Sequence, residues 1–466
     1  MFLKRFYDEG LAQASFMIGC QASNVAIVID PRRDIAAYLE EANHQNMKIT
    51  AVTETHIHAD YLSGSRELAA ATDARLYLSN EGGPEWAYGF AHEALCHGSE
   101  IKLGNLVVRA LHTPGHTPES LSFLVTDGAT ANEPGFLFTG DFVFVGDLGR
   151  PDLLDEAADG LDTRFIGARQ LHKSLRDQFL TLPDYVQVHP GHGAGSACGK
   201  ALGAIASSTV GYERRFAWWA RHVDNDDLTG FTNALLDGQP DAPAYFKRMK
   251  HQNKTGPALL GERGAVPQFQ TGELSDSLKA GALLIDTRAR DAFQRGAVPG
   301  SIHLPAGKDF STWAGWLIDP ERGGRDLILL VRDATQALCL RDELSRVGVD
   351  RVIGFVSSLE GVDLQPQTPA TLEEIAAIEH PYVLDVRSKS EYDAGHIPGA
   401  TQLHAARLYT HLRDIPRDRQ VVLHCQSGSR SAAATSLLRS RGFTNIVELQ
   451  GGYAAWVERR HESMST

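Results

Sequence analysis

One sequence pattern occurs twice in the second half of the chain. The first copy begins LLIDTRARDAFQRGAVPG at Leu283, and the second begins VLDVRSKSEYDAGHIPG at Val383. Further along, LILLVRDATQALCLRDELSRVGVDRVIGF aligns without a gap with VVLHCQSGSRSAAATSLLRSRGFTNIVEL. Short apolar runs alternate with segments of helical spacing in both copies, which predicts two α/β modules in tandem with a boundary near residues 365–371.

The first half of the chain places polar residues directly after short apolar strands. Residues 15–30 read as a hairpin and residues 35–46 as a helix. The predicted strand at 50–55 runs into THIHADY, the one at 107–113 into PGHT, and the one at 136–139 into GD. Loops at strand ends often carry function, because a rigid scaffold positions them. We therefore expect these His and Asp side chains to act together.

Length, charge and cysteine content limit the alternatives. A chain of 466 residues is long enough for about three domains. Its net charge of -13 gives no electrostatic footprint for nucleic acid or anionic membranes. No apolar run is long enough to span a membrane and the first residues lack the pattern of a secretory signal, so we expect a cytoplasmic protein. The five cysteines are widely separated, which argues against a disulfide framework.

Four residues in these loops and one in the later segment HPGHG are candidate metal ligands. They are His56, His58, His116, Asp141 and His192. Because His56 and His58 are two residues apart, both imidazoles can face the same side. Any one of these histidines alone could be an ordinary hydrogen-bonded loop residue. Their combination predicts a metal site.

The motifs THIHADY, TPGHT, FTGD and HPGHG together resemble those of the metallo-β-lactamase superfamily over residues 1–250. The resemblance implies an αββα sandwich that gathers these loops at one edge of its paired sheets. Hydrolases of this superfamily usually carry His directly after the Asp of the first motif, whereas Tyr61 follows Asp60 here. This departure argues against a dinuclear zinc centre, and the pattern is similar to the persulfide dioxygenase branch.

The persulfide dioxygenase branch implies a specific metal and ligand set. Carried over to this chain, the resemblance implies one Fe(II), held by His56, His116 and Asp141. Two imidazoles and one carboxylate leave coordination positions open for substrate sulfur and for O₂. A closed structural site would not offer those positions.

Seven further residues are expected to orient the ligands or to contact the substrate. They are His58, Asp60, Tyr61, Arg150, His192, Cys20 and Cys198. His58, Asp60 and His192 would orient ligands or a water molecule. Arg150 could pair with an anionic group of the substrate, with a structural salt bridge as the alternative. Cys20 and Cys198 could be reactive, or they could be small buried apolar residues.

A cysteine opens a polar loop in the second C-terminal copy. The loop comprises Cys425, Gln426, Ser427, Gly428, Ser429 and Arg430, between the apolar run VVL and a helical segment. Loop amides, the N-terminus of the following helix and Arg430 would favour a thiolate, which could carry sulfane sulfur as a persulfide. A cysteine phosphatase is the competing interpretation. Phosphatase loops place five residues between Cys and Arg, whereas only four separate Cys425 from Arg430.

This loop resembles that of the rhodanese family, together with LDVRSKSEYDAGHIPGA upstream and GGYAAW downstream. The resemblance covers about residues 370–460 and implies an α/β/α fold with sulfurtransferase activity. It also implies that Asp385 and Arg387 belong to the same site as the loop.

The first copy lacks the residues that this chemistry needs. The gapless alignment places Val331 at the position of Cys425 and Gln336 at that of Arg430. We therefore expect a catalytically silent rhodanese-like domain, in which Cys339 packs on the helix after the loop. The α/β chain would then comprise a metallo-β-lactamase-like domain, a linker, the silent domain and an active rhodanese domain. Their expected bounds are 1–250, 251–268, 269–364 and 365–466.

The leading functional hypothesis combines two activities. Fe(II) and O₂ would oxidise a low-molecular-weight persulfide, such as glutathione persulfide, to sulfite and a thiol, and Cys425 would shuttle sulfane sulfur, with thiosulfate as a product if it meets sulfite. One alternative is a mononuclear or dinuclear zinc thioester hydrolase of the glyoxalase II type with an appended rhodanese. Another is a sulfur carrier or sensor that consumes no O₂. The expected partners are small molecules, without nucleic acid or membrane, and a homo-oligomer is plausible.

Overall fold

The computed structural model describes residues 1–153, 163–200, 202–320 and 324–464. The chain forms two compact units. The N-terminal unit comprises Met1–Ala242 and Phe246–Arg263, and the C-terminal unit comprises Pro243–Tyr245 and Gly264–Thr466. Among the described residues, no helix combines the length and the apolar character that crossing a bilayer requires.

Two six-stranded sheets make up the framework of the N-terminal unit. The first sheet has the order β1-β2-β3-β4-β5-β6, with β1–β3 antiparallel and β3–β6 parallel. The second has the order β12-β11-β10-β9-β8-β7, in which only β10 and β11 are parallel. The strands are β1 Phe2–Asp8, β2 Gln13–Cys20, β3 Val25–Ile29, β4 Lys48–Thr53, β5 Arg75–Ser79, β6 Glu93–Leu95, β7 Glu100–Leu103, β8 Leu106–His112, β9 Leu121–Asp127, β10 Phe136–Gly140, β11 Gln187–Pro190 and β12 Ser208–Thr209.

The core of this unit lies between the two sheets. Phe16 and Ile27 of the first sheet pack with Phe123 and Phe138 of the second, and the rings of Phe16 and Phe138 lie 4.9 Å apart. Helices cover the outer faces, since further apolar clusters join each sheet to its helices. The helices are Ala36–His44, Ser65–Thr72, Pro84–Trp86, Thr163–Ser174, Leu175–Phe179, Val210–Phe216, Ala220–Asp224, Leu228–Leu236 and Phe246–Thr255. The expected αββα sandwich is confirmed.

The polar loops follow the strand ends that the sequence indicated. β4 ends at Thr53, β8 at His112 and β10 at Gly140, each within two residues of its predicted end. Gly140 has φ +52°, and a side chain at this position would collide with Thr55. A glycine is therefore required for the turn that brings the next residue, Asp141, towards the loop after β4.

The C-terminal unit contains two four-stranded parallel sheets of identical strand order. The first module has the order β14-β13-β15-β16, and the second has β18-β17-β19-β20. Their strands are β13 Leu283–Asp286, β14 Ile302–His303, β15 Leu327–Leu330, β16 Val352–Val356, β17 Tyr382–Asp385, β18 Thr401–Gln402, β19 Val421–His424 and β20 Ile446–Glu448. Their helices are Thr271–Lys279, Arg290–Arg295, Phe310–Leu317, Ala334–Arg346, Leu372–Ala376, Lys389–Ala394, Ala405–His411, Ser429–Ser440 and Gly452–Met464.

The two modules pack against each other. The backbone N–H of His303 in the first module donates to the Ser436 hydroxyl of the second at 2.9 Å. The rings of Trp316 and His404 lie 5.1 Å apart across the same interface. The C-terminal unit is therefore one compact body built from the duplicated pattern.

The expected linker at 251–268 begins inside a helix of the N-terminal unit. Helix Phe246–Thr255 carries Asn253, which is 1% exposed. Its side-chain amide donates to the carbonyl oxygens of His58 and Tyr61 at 2.8 and 2.7 Å. This part of the segment supports the THIHADY loop, and the four domain bounds stay a prediction.

Candidate functional site

Three buried side chains converge at the edge of the N-terminal sandwich. His56, His116 and Asp141 each offer a ligand atom, and these atoms all lie within 4.8 Å of one another. The Nε2 atoms of His56 and His116 are 3.9 and 3.6 Å from Oδ2 of Asp141. That oxygen is buried and has no hydrogen-bond partner among the described residues. An orphaned carboxylate oxygen facing two imidazole nitrogens fits a bound cation.

The opposite nitrogen of each imidazole is held by an oxygen. Nδ1 of His116 donates to the carbonyl oxygen of Arg150 at 3.0 Å. Nδ1 of His56 lies 3.0 Å from the Thr55 hydroxyl, which donates to Asp30 at 2.8 Å. Because the Thr55 hydroxyl donates its proton to Asp30, the hydroxyl oxygen accepts a hydrogen bond from Nδ1 of His56. Both rings thus keep the Nε2 lone pair free for a metal.

His192 bridges two carboxylates beside this cluster. Its Nδ1 and Nε2 atoms donate to Asp141 and Asp60 at 2.7 and 2.8 Å. Burial alone would lower the pKa of His192, but the two carboxylates hold it well above its ordinary value. For the Asp141 carboxyl, burial alone would raise the pKa. The charge of His192 outweighs burial and lowers the pKa of Asp141. His192 therefore orients Asp141 so that Oδ2 faces the two imidazoles.

His58 and Tyr61 make hydrogen bonds to Asp30 and do not belong to the cluster of His56, His116 and Asp141. Nε2 of His58 lies 3.1 Å from a carboxylate oxygen of Asp30. Burial opposes protonation, yet Asp30 raises the pKa of His58 to about 9. The Tyr61 hydroxyl donates to the carbonyl oxygen of Asp30 at 3.1 Å and accepts from Gln13 at 3.2 Å. Burial raises the pKa of Tyr61 well above its ordinary value, so the phenol stays neutral.

The two candidate cysteines of this unit have different surroundings. Cys198 joins Asp60 and His192 in a second group whose possible ligand atoms also lie within 4.8 Å of one another. Burial and the nearby Asp60 carboxylate raise the pKa of Cys198 well above its ordinary value. Cys20 lies in the core between the sheets and accepts from the N–H of Asn105 at 3.4 Å. The structure thus brings Cys198, but not Cys20, to the cluster.

Arg150 is buried and holds neighbouring loops. Its guanidinium pairs with Asp152 and donates to the carbonyl oxygens of Ala197 and Pro240 at 3.0 and 2.7 Å. The side chain of Arg150 therefore forms a structural salt bridge. The backbone carbonyl oxygen of the same residue accepts the hydrogen bond from His116. Contact between Arg150 and a substrate stays a prediction.

Cys425 lies on the loop between β19 and helix Ser429–Ser440. The side chain is 1% exposed, and its sulfur accepts from the N–H of Gly428 at 3.1 Å. The Ser431 hydroxyl lies 3.5 Å from the same sulfur. The Gly428 N–H and the Ser431 hydroxyl thus both face the sulfur at the start of the helix.

Arg430 is held by a carboxylate that the sequence reasoning did not identify. Two guanidinium N–H groups donate to the two oxygens of Glu391, both at 2.7 Å. Although burial acts in the opposite direction, this pairing lowers the pKa of Glu391 to about 2. The charge of Arg430 in turn interacts with Cys425. The bidentate pair therefore keeps the cation beside the sulfur.

Asp385 and Arg387 lie beneath the loop. Arg387 donates to Asp385 at 2.7 Å and to the side-chain oxygen of Gln426 at 3.2 Å. Its guanidinium also stacks 4.0 Å from the ring centre of Tyr453, whose N–H donates to the carbonyl oxygen of Cys425 at 2.8 Å. The pair thus supports the backbone that carries the cysteine.

The corresponding loop of the first module has no thiol. Val331 is buried after β15. The Gln336 side chain accepts from the backbone N–H of Arg332 at 2.8 Å. This hydrogen bond closes the loop on itself, and the catalytic silence of the module stays a prediction.

Some supporting residues were missed although signals for them exist. Asp30 follows the apolar run VAIVI, which is the same strand-end pattern that identified Asp141. Glu391 is the fourth residue of S-K-S-E, the pattern of a helix capping box. By contrast, only the tertiary structure brings Glu448 to the cysteine loop, where the Ser431 hydroxyl donates to it at 2.9 Å.

Comparisons with known proteins agree with this architecture. A family model described as the metallo-beta-lactamase superfamily matches residues 9–192, and a rhodanese-like domain model matches residues 368–459. The solved structure of a metallo-β-lactamase from Staphylococcus aureus is 39% identical, covers 77% of this chain and 99% of its own, and has a TM-score of 0.68.

Two curated relatives of the N-terminal region point to different chemistries. A hydroxyacylglutathione hydrolase of Glaesserella parasuis is 32% identical over 168 residues, which are 36% of this chain and 60% of that protein. The mitochondrial persulfide dioxygenase ETHE1 of Mus musculus is 23% identical over 194 residues, which are 41% of this chain and 68% of that protein.

Proposed function

Since the chain belongs to the metallo-β-lactamase superfamily and contains a rhodanese-like domain, we propose that it is an iron-dependent persulfide dioxygenase with sulfurtransferase activity. The substrate is a low-molecular-weight persulfide, R–SSH. One persulfide, one O₂ and one water give one thiol, one sulfite and two protons, so the terminal sulfur is oxidised and O₂ is reduced.

The observation that carries this proposal is the convergence of two imidazoles and one carboxylate on one point. His56, His116 and Asp141 would hold one Fe(II), which supplies the redox chemistry when it is bound. Tyr61, where related hydrolases carry a histidine, turns its hydroxyl to Asp30 and offers no imidazole to a second metal. The similarity to the mouse persulfide dioxygenase supports the same assignment.

The protein residues have separate roles at this centre. His192 fixes the Asp141 carboxylate, and the Arg150 carbonyl fixes the His116 ring. Burial of all three ligands, each 2% exposed, excludes bulk water from the site. Excluding water protects reactive sulfur species from side reactions.

The second activity is transfer of sulfane sulfur through Cys425. Its thiolate attacks the outer sulfur of thiosulfate, the S–S bond breaks, and sulfite leaves with the electron pair. Cys425 is then a persulfide, and the reverse reaction with sulfite yields thiosulfate. Sulfite from the first activity is the co-reactant, and joining both activities in one chain raises its effective concentration. These small reactants suit a cytoplasmic enzyme, as the sequence suggests.

Oxygen uptake tests the first activity directly. Iron-loaded protein supplied with glutathione persulfide should consume O₂, and His116→Ala should lower the rate by at least about 100-fold, because one of three ligands is lost. Bound iron should fall in the same variant. The exposed His251 offers a matched control, and His251→Ala should keep both uptake and iron. Uptake that survives the loss of His116 would sink the assignment.

A zinc thioester hydrolase is the second candidate, and one cluster favours it. Asp60, His192 and Cys198 could supply ligands to a second metal, and one relative is a hydroxyacylglutathione hydrolase. This candidate predicts bound zinc, with two ions per chain in its dinuclear form, and hydrolysis of S-lactoylglutathione without O₂ uptake. A sulfur carrier or sensor predicts neither reaction. Metal content and the two assays on one preparation separate all three.

A further inference from the structure

The first module supplies a cation to the cysteine loop of the second. Arg290 opens the short helix Arg290–Arg295 of the first module. Its Nη1 atom donates to the carbonyl oxygen of Ser427 at 2.9 Å. The corresponding residue of the second module, Lys389, pairs instead with exposed Asp393 on its own helix.

The peptide unit that Arg290 contacts also contacts the sulfur. Its carbonyl belongs to Ser427, and its N–H belongs to Gly428 and donates to Sγ of Cys425 at 3.1 Å. In a trans peptide these two groups point in opposite directions. A guanidinium on the carbonyl thus holds the N–H towards the sulfur and polarises it, because linked hydrogen bonds strengthen one another.

The backbone at this point is built for a close approach. Gly428 has φ +108°, and a side chain there would collide with Nη1 of Arg290. Glu448 faces the same place, with a carboxylate oxygen 3.5 Å from where that side chain would begin. The Ser431 hydroxyl donates to this carboxylate at 2.9 Å. Arg290 therefore lies against the loop of the second module, at a point that the Glu448 carboxylate also faces.

We propose that Arg290 is a positioning residue for Cys425, and that the first module completes the cysteine loop of the second. The inference rests on the proposed role of Cys425 as the sulfur carrier. The guanidinium acts through the Ser427–Gly428 peptide and not on the substrate. A module without a thiol in its own loop thereby contributes to the reactivity of its neighbour.

Alkylation of Cys425 in the reduced full-length protein tests this role without requiring sulfur transfer. The rates with neutral iodoacetamide and anionic iodoacetate are followed by mass spectrometry of the Cys425 peptide. Arg290→Ala should slow both reagents equally, by about fivefold, because the thiolate loses an oriented donor. Arg290→Lys keeps one N–H donor and should recover at least about half of the rate. Exposed Arg295 lies on the same helix, and Arg295→Ala should change nothing.

Three results would overturn the proposal: wild-type rates in Arg290→Ala, a loss confined to iodoacetate, or Arg290→Lys being as slow as Arg290→Ala. A loss confined to the anionic reagent would mean that the guanidinium binds anions. Unfolding of each variant is compared by thermal melting, and Arg290→Gln replaces the alanine variant if the latter does not fold. A wild type that alkylates normally but transfers no sulfur would count against the proposed function alone.

Discussion

The two modules of the C-terminal unit share a scaffold and differ in their loops. In the first module, Arg288 donates to Asp286 at 2.6 Å and to the carbonyl oxygen of Gly296 at 2.8 Å. In the second, Arg387 makes the equivalent bonds at 2.7 and 2.8 Å, to Asp385 and Gly395. The Asp–Arg pair therefore belongs to the fold, because it persists where there is no cysteine.

Three differences between the modules lie around the sulfur atom of Cys425. Val331 replaces the cysteine and Gln336 replaces the arginine. The partner of that arginine is lost as well, since Ala292 aligns with Glu391. The first module therefore keeps the fold without any of the three residues.

Removing the thiol of Cys425 tests the comparison of the two modules, and it should have the largest effect on the rate of sulfur transfer. Cys425→Ser should lower thiocyanate formation from thiosulfate and cyanide by at least about 1000-fold, because a hydroxyl cannot carry the sulfur. Cys339→Ser, in the silent module, should leave the rate unchanged. Oxygen uptake should survive in both variants. Substantial thiocyanate formation by Cys425→Ser would place the sulfur carrier elsewhere.

Removing the carboxylate that holds Arg430 should have a smaller effect. Glu391→Ala should lower sulfur transfer by about tenfold, because the guanidinium loses both hydrogen bonds that keep it beside the sulfur. The same assay applies. The exposed Glu379 serves as a control, and Glu379→Ala should match the wild type. A Glu391→Ala protein with the wild-type rate would show that Arg430 needs no partner.

The contribution of Glu448, in the second module, to the stability of the protein should depend on pH. Burial raises the pKa of Glu448 from 4.5 to about 7. A raised pKa in the folded state contributes stability that is complete below the unfolded pKa and is lost as pH rises through the folded value. Glu448→Gln should therefore melt like the wild type near about pH 4.5 and at a higher temperature near about pH 8.5.

The size of that difference follows from the shift in the pKa of Glu448. A rise from 4.5 to about 7 corresponds to on the order of 3 kcal/mol at high pH. Thermal melting at both pH values measures it, with Glu379→Gln as the exposed control. Equal melting curves for Glu448→Gln and the wild type at high pH would contradict the shift.

Transplanting two residues should restore almost nothing. In a Cys425→Ser background, Val331→Cys with Gln336→Arg should give no more than about 1% of wild-type sulfur transfer, because the loop geometry is absent. Ala334 aligns with Gly428, whose φ of +108° disfavours alanine. Adding Ala334→Gly and Ala292→Glu should raise the rate. High activity from the first two changes alone would show that thiol and cation suffice.

The strand-end pattern predicted much of the metal cluster. That pattern indicated five candidate ligands, and the family resemblance implied His56, His116 and Asp141 among them; the structure brings these three together. Iron binding by these residues stays a prediction, as does the second activity. The sequence did not indicate that Asp30 binds the imidazole of His58. This hydrogen bond joins two residues that are 28 positions apart and follow different strands.

The sequence by itself determined the fold class, the duplication and the loss of the thiol in the first module. These properties depend on local periodicity and on residue identity at aligned positions, both of which a single chain displays. The tertiary structure alone decided which groups share a site. Contacts such as Arg290 with Ser427, 137 residues apart, depend on how the modules pack. Packing follows from the shapes of many side chains together, so no short segment encodes it.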